Sequence, residues 1–203
     1  MNKLYNIFIA FTFLLLSTAD NKALAQCTAS NSLLTFYNTN NAQSGIMFDI
    51  TAINCVTIRC FEANIRTGTN NWNIYFKTGT HVGFETTAAA WTLLGSSSVS
   101  GNGDNIATYI PILVNVTINA GQRAAFYITS TNGGSMLYTN GTGVGNVLAS
   151  DANINVREGT GKAWSFSTNY TPRQFNGRVY YNGPGAISAP GPVSGTSTVC
   201  QGS

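Results

Sequence analysis

Charged side chains are scarce in this chain. Asp, Glu, Lys and Arg make up 8% of its 203 residues, and the one histidine is His81. The basic residues stand singly, with no run of the kind that neutralises a phosphate backbone, so no nucleic-acid partner is expected. There is no Cys-x-x-Cys pair and only one imidazole, which removes the common zinc patterns. No Gly-x-Ser-x-Gly turn accompanies His81, so a Ser-His-Asp device lacks its usual signature and His81 reads as an exposed loop residue. Glycine-rich phosphate loops and βαβ alternation are also missing. The N-terminal apolar run, residues 7–16, is ten residues long. A bilayer-spanning helix needs roughly twenty, so no membrane span is expected.

That short run does have a reading of its own. Lys3 precedes it, and a polar stretch ending in Ala23-Leu24-Ala25 follows it. Basic, apolar and small-residue parts in this order form a secretory signal peptide, assigned to residues 1–25. Ser17-Thr18-Ala19 offers a second cut, but Asp20, Asn21 and Lys22 fit better as the polar tail of the signal. Lipidation of Cys27 is disfavoured because Gln26, not a small residue, precedes it. The expected location is therefore extracellular or at the outer cell surface.

Apolar residues make up 43% of the chain, and most of the polarity comes from Asn, Thr, Ser and Gly. Low charge with many aromatics describes a chain that can bury enough surface to fold. Cutting after Ala25 removes Lys3, Lys22 and Asp20, which leaves eight basic and six acidic residues. The roughly 175 remaining residues suit one domain and a tail.

Export gives the four cysteines, Cys27, Cys55, Cys60 and Cys200, an oxidising environment in which to pair. Cys55 and Cys60 flank an extended Val-Thr-Ile-Arg segment, which separates them by about 16 Å at 3.3 Å per residue. A disulfide needs Cα atoms within about 7 Å, so these two should not bond each other. Their odd spacing also assigns them to opposite faces of a sheet. Cys27 is expected to pair with Cys55 or Cys60, tying the mature N-terminus to the sheet; a buried free thiol is the alternative for the other.

Alternation of period two dominates the body of the chain. Segments 46–50, 56–65, 72–77, 114–118, 124–129, 153–157 and 177–181 all read as strands. In the third of these, Trp72, Ile74 and Phe76 share one face and Trp72 belongs to the core. Turn signals fall at 67–71, 100–104, 120–121 and 132–134, and residues 86–91 could form one short helical turn. The fold class is all-β, an antiparallel β-sandwich, jelly-roll-like. Its domain spans residues 26–182. Asn182-Gly183-Pro184-Gly185 and Ala189-Pro190-Gly191-Pro192 then mark a Pro/Gly linker at 183–193.

Two resemblances accompany these patterns. Residues 194–203, with their Val199-Cys200-Gln201-Gly202, resemble the opening strand of the Ig-like or PKD-like repeats in large secreted surface proteins of gliding-type bacteria. Trp72-Asn73-Ile74-Tyr75-Phe76-Lys77-Thr78-Gly79, the segment from Glu85 to Leu93, Val114 to Gln122 and Ala125-Phe126-Tyr127-Ile128 resemble N-terminal non-catalytic β-sandwich modules of such proteins. The second resemblance covers residues 45–182. Together they imply surface display, contact with glycan or matrix, downstream domains on the same polypeptide, and a chain continuing beyond Ser203, where the partner of Cys200 would lie. The alternative is a tail with an unpaired Cys200. No catalytic motif is implied.

Sugar rings stack their apolar faces on Trp or Tyr, and their hydroxyls pair with amides and carboxylates. The interval 138–164 holds both, with Tyr138, Asn140, Asp151, Asn153, Glu158 and Trp164, and Trp91 is a further aromatic. These seven residues are the candidate ligand site, although Trp91 and Trp164 also suit plain packing. Asp151, Asn153 and Glu158 could hold a structural calcium ion without EF-hand spacing; no other cofactor is expected. Glycoside hydrolysis would need two opposed carboxylates drawn from Asp49, Glu62, Glu85, Asp104, Asp151 and Glu158. Asn-x-Thr triplets occur at Asn115, Asn140 and Asn169. The leading expectation is a non-enzymatic adhesion or recognition module. A structural spacer and a fragment of a secreted glycoside hydrolase are the alternatives.

Overall fold

The computed structural model describes residues 27–184. The signal segment, most of the linker, the repeat-like tail and Cys200 lie outside the described residues. Fourteen strands form among the described residues: β1 (Asn31–Leu34), β2 (Asn41–Gln43), β3 (Gly45–Ala52), β4 (Val56–Asn64), β5 (Gly68–Thr78), β6 (Thr92–Gly101), β7 (Ala107–Ile110), β8 (Val116–Ile118), β9 (Arg123–Ser130), β10 (Met136–Asn140), β11 (Val147–Ser150), β12 (Ile154–Lys162), β13 (Asn169–Gln174) and β14 (Gly177–Asn182). The helical candidate is a single 3-10 turn, Ala88–Ala90.

The strands make two antiparallel sheets, which bears out the β-sandwich expectation. The smaller sheet runs β1-β14-β4-β7, with β8 also on β4. On that edge of β4, β8 pairs with Val56–Ile58 and β7 with Phe61–Asn64. The larger sheet runs β2-β10-β13-β12-β3-β9-β5-β6, with β11 beside β12.

Alternation fills the space between the sheets. Ile46, Phe48 and Ile50 of β3, Ala124, Phe126 and Ile128 of β9, and Trp72 and Ile74 of β5 meet Val56, Ile58, Phe61 and Ala63 of β4 in one core, with Phe76 packed against it. Phe48 stacks on Phe175 at 4.3 Å between centroids and meets Phe61 edge-on at 5.7 Å. Burying each such ring is worth about 1.5–3 kcal/mol. Strands β3 and β9 are buried on both faces, because the β5–β6 connection, residues 79–91, folds back across the outer face of the large sheet. There Met47, Trp91, Ala125 and Tyr127 form a second, lateral cluster with Tyr75, Ala90 and Phe166 against it.

Five strand pairs among the described residues carry a register shift, and two of these shifts bear on Cys60 and Gly159. In the β14–β4 pair, Tyr180 lies opposite Cys60 and Tyr181 opposite Ile58, so Arg59 is an extra residue. This bulge shifts the alternation: the core set is Val56 and Ile58, then Phe61 and Ala63. Cys60 therefore leaves the core-facing set, and the expectation that odd spacing puts Cys55 and Cys60 on opposite faces fails, because a bulge resets the period. Cys60 is bonded to Cys27, with Cα atoms 6.1 Å apart, as one of the two expected pairings. Cys55 is also disulfide-bonded, so the free-thiol alternative is overturned. The second irregularity is the register shift between Arg157 and Thr160 where β12 meets β3. Gly159 sits there because a Cβ would overlap the carbonyl oxygen of Met47.

The chain enters and leaves the sandwich side by side. Asn31 of β1 lies opposite Tyr181 of β14, and the Ser30 amide donates to Asn182 Oδ1 at 2.9 Å. Asn182 in turn pairs with Thr57, next to the 53–55 connection that follows Ala52. Strand β12 begins with Ile154 opposite Ala52 and ends with Lys162 opposite Gly45. The β12–β13 hairpin loop, 163–168, thus projects at the far end of β3 from the chain exit, about 23 Å away at 3.3 Å per residue.

Candidate functional site

The outer face of the large sheet carries most of the unusual chemistry. Asp49 stands on β3 between the core-facing Phe48 and Ile50 and so points outward. Loop 79–91 brings three donors to it: Thr80 Oγ1 at 2.6 Å, the His81 amide at 3.0 Å and His81 Nδ1 at 2.7 Å. Arg123 Nη1 stands 3.5 Å from its other oxygen. Burial by itself would raise the Asp49 carboxyl, but the hydrogen bonds from His81 and Thr80 outweigh it and hold the group below the usual range. The second ring nitrogen, His81 Nε2, lies 3.3 Å from Thr160 Oγ1.

Asp49, His81 and Thr160 thus stand in the order acid, imidazole, hydroxyl. The geometry resembles a nucleophile relay, yet the three residues are 0%, 0% and 1% exposed. A hydroxyl that meets no solvent meets no substrate, so the cluster acts as a clasp holding loop 79–91 on the sheet. The expectation that His81 is an exposed loop residue is corrected. An exposed imidazole is the common case, but the unmatched carboxylate of Asp49 draws this one inward. A single acid within the apolar run 46–50 was the readable signal that this outer face is covered.

The seven sequence-predicted ligand residues do not converge. Tyr138 is fully buried in the core, and Trp91 is 8% exposed in the lateral cluster, donating its indole N–H to the Phe84 carbonyl at 3.0 Å. Asn140 is exposed and accepts from Asn41 Nδ2 at 2.9 Å. Asp151 caps its own turn, accepting from the Asn153 and Ile154 amides at 2.8 and 2.9 Å and from the Tyr181 hydroxyl at 2.5 Å. Asn153 Nδ2 lies 3.3 Å from the same hydroxyl.

Glu158 is 2% exposed and organises the loop after β10. It accepts from the Thr142 and Gly143 amides at 2.6 and 2.8 Å, the Thr142 hydroxyl at 3.1 Å and Gln174 Nε2 at 2.6 Å. Burial pushes its carboxyl up, and these donors together bring it below the ordinary value. Asp151 and Glu158 serve separate turns, so the structure does not gather Asp151, Asn153 and Glu158 around one ion. Among the described residues, no group of three or more His, Cys, Asp or Glu side chains is placed to hold a metal.

Trp164 behaves differently from the other six. It is 54% exposed at the tip of loop 163–168. Ser165 and Phe166 follow it with φ of 48° and 57°, the left-handed region that L-residues seldom occupy. This twist turns Phe166 inward, where its ring lies 5.2 Å from Tyr75, 5.1 Å from Tyr127 and 6.1 Å from Trp91. Anchoring one aromatic leaves the other displayed. Below them Lys162 is fully buried and donates to the Ser167 carbonyl and to Asn169 Oδ1. Phe166 and Lys162 carry no sequence signal of their own, since only the hairpin geometry gives them roles. No protein-family model matches the chain, and no curated protein matches it.

Proposed function

We propose that this chain is a secreted, non-enzymatic recognition module that binds carbohydrate or matrix polymer at the cell surface. The observation that carries the reading is the position of Trp164, displayed on a constrained hairpin at the far end of β3 from the point where the chain leaves. An exposed indole offers the flat apolar surface on which a sugar face stacks, and the neighbouring Ser and Thr hydroxyls offer hydrogen bonds. The Cys27–Cys60 disulfide fits an oxidising compartment, and among the described residues no helix is long and apolar enough to cross a membrane.

The arrangement suits a head that hangs from one point better than a spacer threaded in series, because the chain enters and leaves at adjacent strands. A hydrolytic role finds little support in the acids. Asp49 and Glu158 are buried and engaged, Asp151 caps a turn, and Glu62 and Asp104 pair with Arg178 and Arg66 at 3.3 Å. A glycan array and pull-down on insoluble polysaccharides test the proposal with the wild-type chain and Trp164→Ala. Binding by the wild type and at least tenfold weaker binding by the variant is the expected result. At 54% exposure the substitution should change folding stability by no more than about 0.5 kcal/mol, so lost binding would not reflect unfolding. A blank across all glycans and polymers sinks the reading.

A further inference from the structure

We propose that Lys162 and Asn169 condense into an intramolecular isopeptide bond that closes the base of the Trp164 hairpin. The inference stands on placement and does not depend on what the hairpin binds. The two residues are direct register partners where β12 meets β13, and the Lys162 amine already donates to the Asn169 carboxamide oxygen. Its other acceptor is the backbone carbonyl of Ser167, which holds the amine at the hairpin mouth. Lys162 is 0% exposed, yet none of the ion pairs among the described residues includes it. A buried ammonium without a paired carboxylate is costly, and a neutral amide in its place removes that cost.

The surroundings favour the amine form. Burial lowers the Lys162 amine to about 8, with Glu85 opposing the shift through its charge. Phe166, Tyr75 and Tyr127 pack against one another beside the loop, while Asn169 stands exposed at the start of β13. The uncharged amine is the nucleophile. The proton that the ammonium gives up passes to solvent. The lone pair on Lys162 Nζ attacks Asn169 Cγ and an Nζ–Cγ bond forms. The Cγ–Nδ2 bond then breaks, and Nδ2 leaves as ammonia with one hydrogen from the amine. Nothing is oxidised or reduced, and no co-reactant is needed.

Mass spectrometry of the full chain, produced and purified without reductant, decides the matter. The expected product is lighter by one ammonia. An N-terminal Gln26 could also cyclise with loss of ammonia, so the change must be located by tryptic mapping. The linked form gives one peptide covering residues 158–173, uncut after Lys162 and one ammonia light. Separate peptides 158–162 and 163–173 of unmodified mass in the wild type would overturn the proposal, whether or not any variant folds. Asn169→Ala is expected to restore cleavage after Lys162. A 158–173 peptide still light by one ammonia in that variant would overturn the assignment to Asn169.

Discussion

His81 Nδ1 lies 2.7 Å from Asp49 Oδ1, with both side chains sealed beneath the β5–β6 connection. Removing the imidazole leaves a buried carboxylate short of one of its three hydrogen-bond donors. His81→Leu is therefore expected to cost about 3 kcal/mol, measured by denaturant unfolding. Because the folded-state Asp49 carboxyl is depressed, its contribution to stability is present above the unfolded value near 4. It is lost as pH falls from there through the folded-state value. Asp49→Asn should flatten that acid limb, and an unchanged limb would show that other carboxylates control it.

The Cys27–Cys60 bond closes a segment with a sequence separation of 33 residues and pins the start of the chain to β4. In the chain-entropy account a loop of that size is worth about 3–4 kcal/mol. The double variant Cys27→Ser, Cys60→Ser should fold with a correspondingly lower denaturant midpoint. It should also show faster hydrogen exchange in β1, which lies at the sheet edge and is tethered by this bond. Unchanged exchange in β1 would mean that pairing with β14 alone holds it.

Glu158 gathers two amides, a hydroxyl and a carboxamide around one buried carboxylate. Glu158→Ala should cost about 2–3 kcal/mol by stranding these donors. The local readout is specific: the Thr142 and Gly143 amides should lose exchange protection while those of β3 and β9 keep theirs. The folded-state carboxyl is depressed here too, so the loop should loosen as pH falls below the ordinary glutamate value near 4.3.

Much of the sandwich was legible because strand alternation is a local property. The segments at 46–50, 72–77 and 124–129 show in sequence the faces they present in the fold, and Trp72 is core as its phase requires. Strands β1, β2, β6, β7, β10, β11 and β13 were not legible, since stretches that are short or rich in Ser, Asn and Thr become strands only when neighbouring strands supply partners. The turn signal at 67–71 likewise became the start of β5, because Gly68 to Asn71 find partners in Ser98 to Gly101 of β6. Of the seven candidate ligand residues, Trp164 alone is a strongly exposed aromatic. Aromatics and amides look the same in sequence whether they line a surface, fill a core or cap a turn.

By itself the sequence determined the all-β class, the core-facing sets of the main strands and the choice of Cys55 or Cys60 for Cys27. Each follows from period-two geometry or from composition, which neighbours along the chain decide. Tertiary structure alone decided that Cys60 takes the bond, through the bulge at Arg59. It also buried His81 against Asp49, set Lys162 against Asn169, and turned Phe166 inward so that Trp164 faces out. Those outcomes depend on contacts between residues far apart in the chain or on the fit of a hairpin against a sheet, which no local pattern encodes.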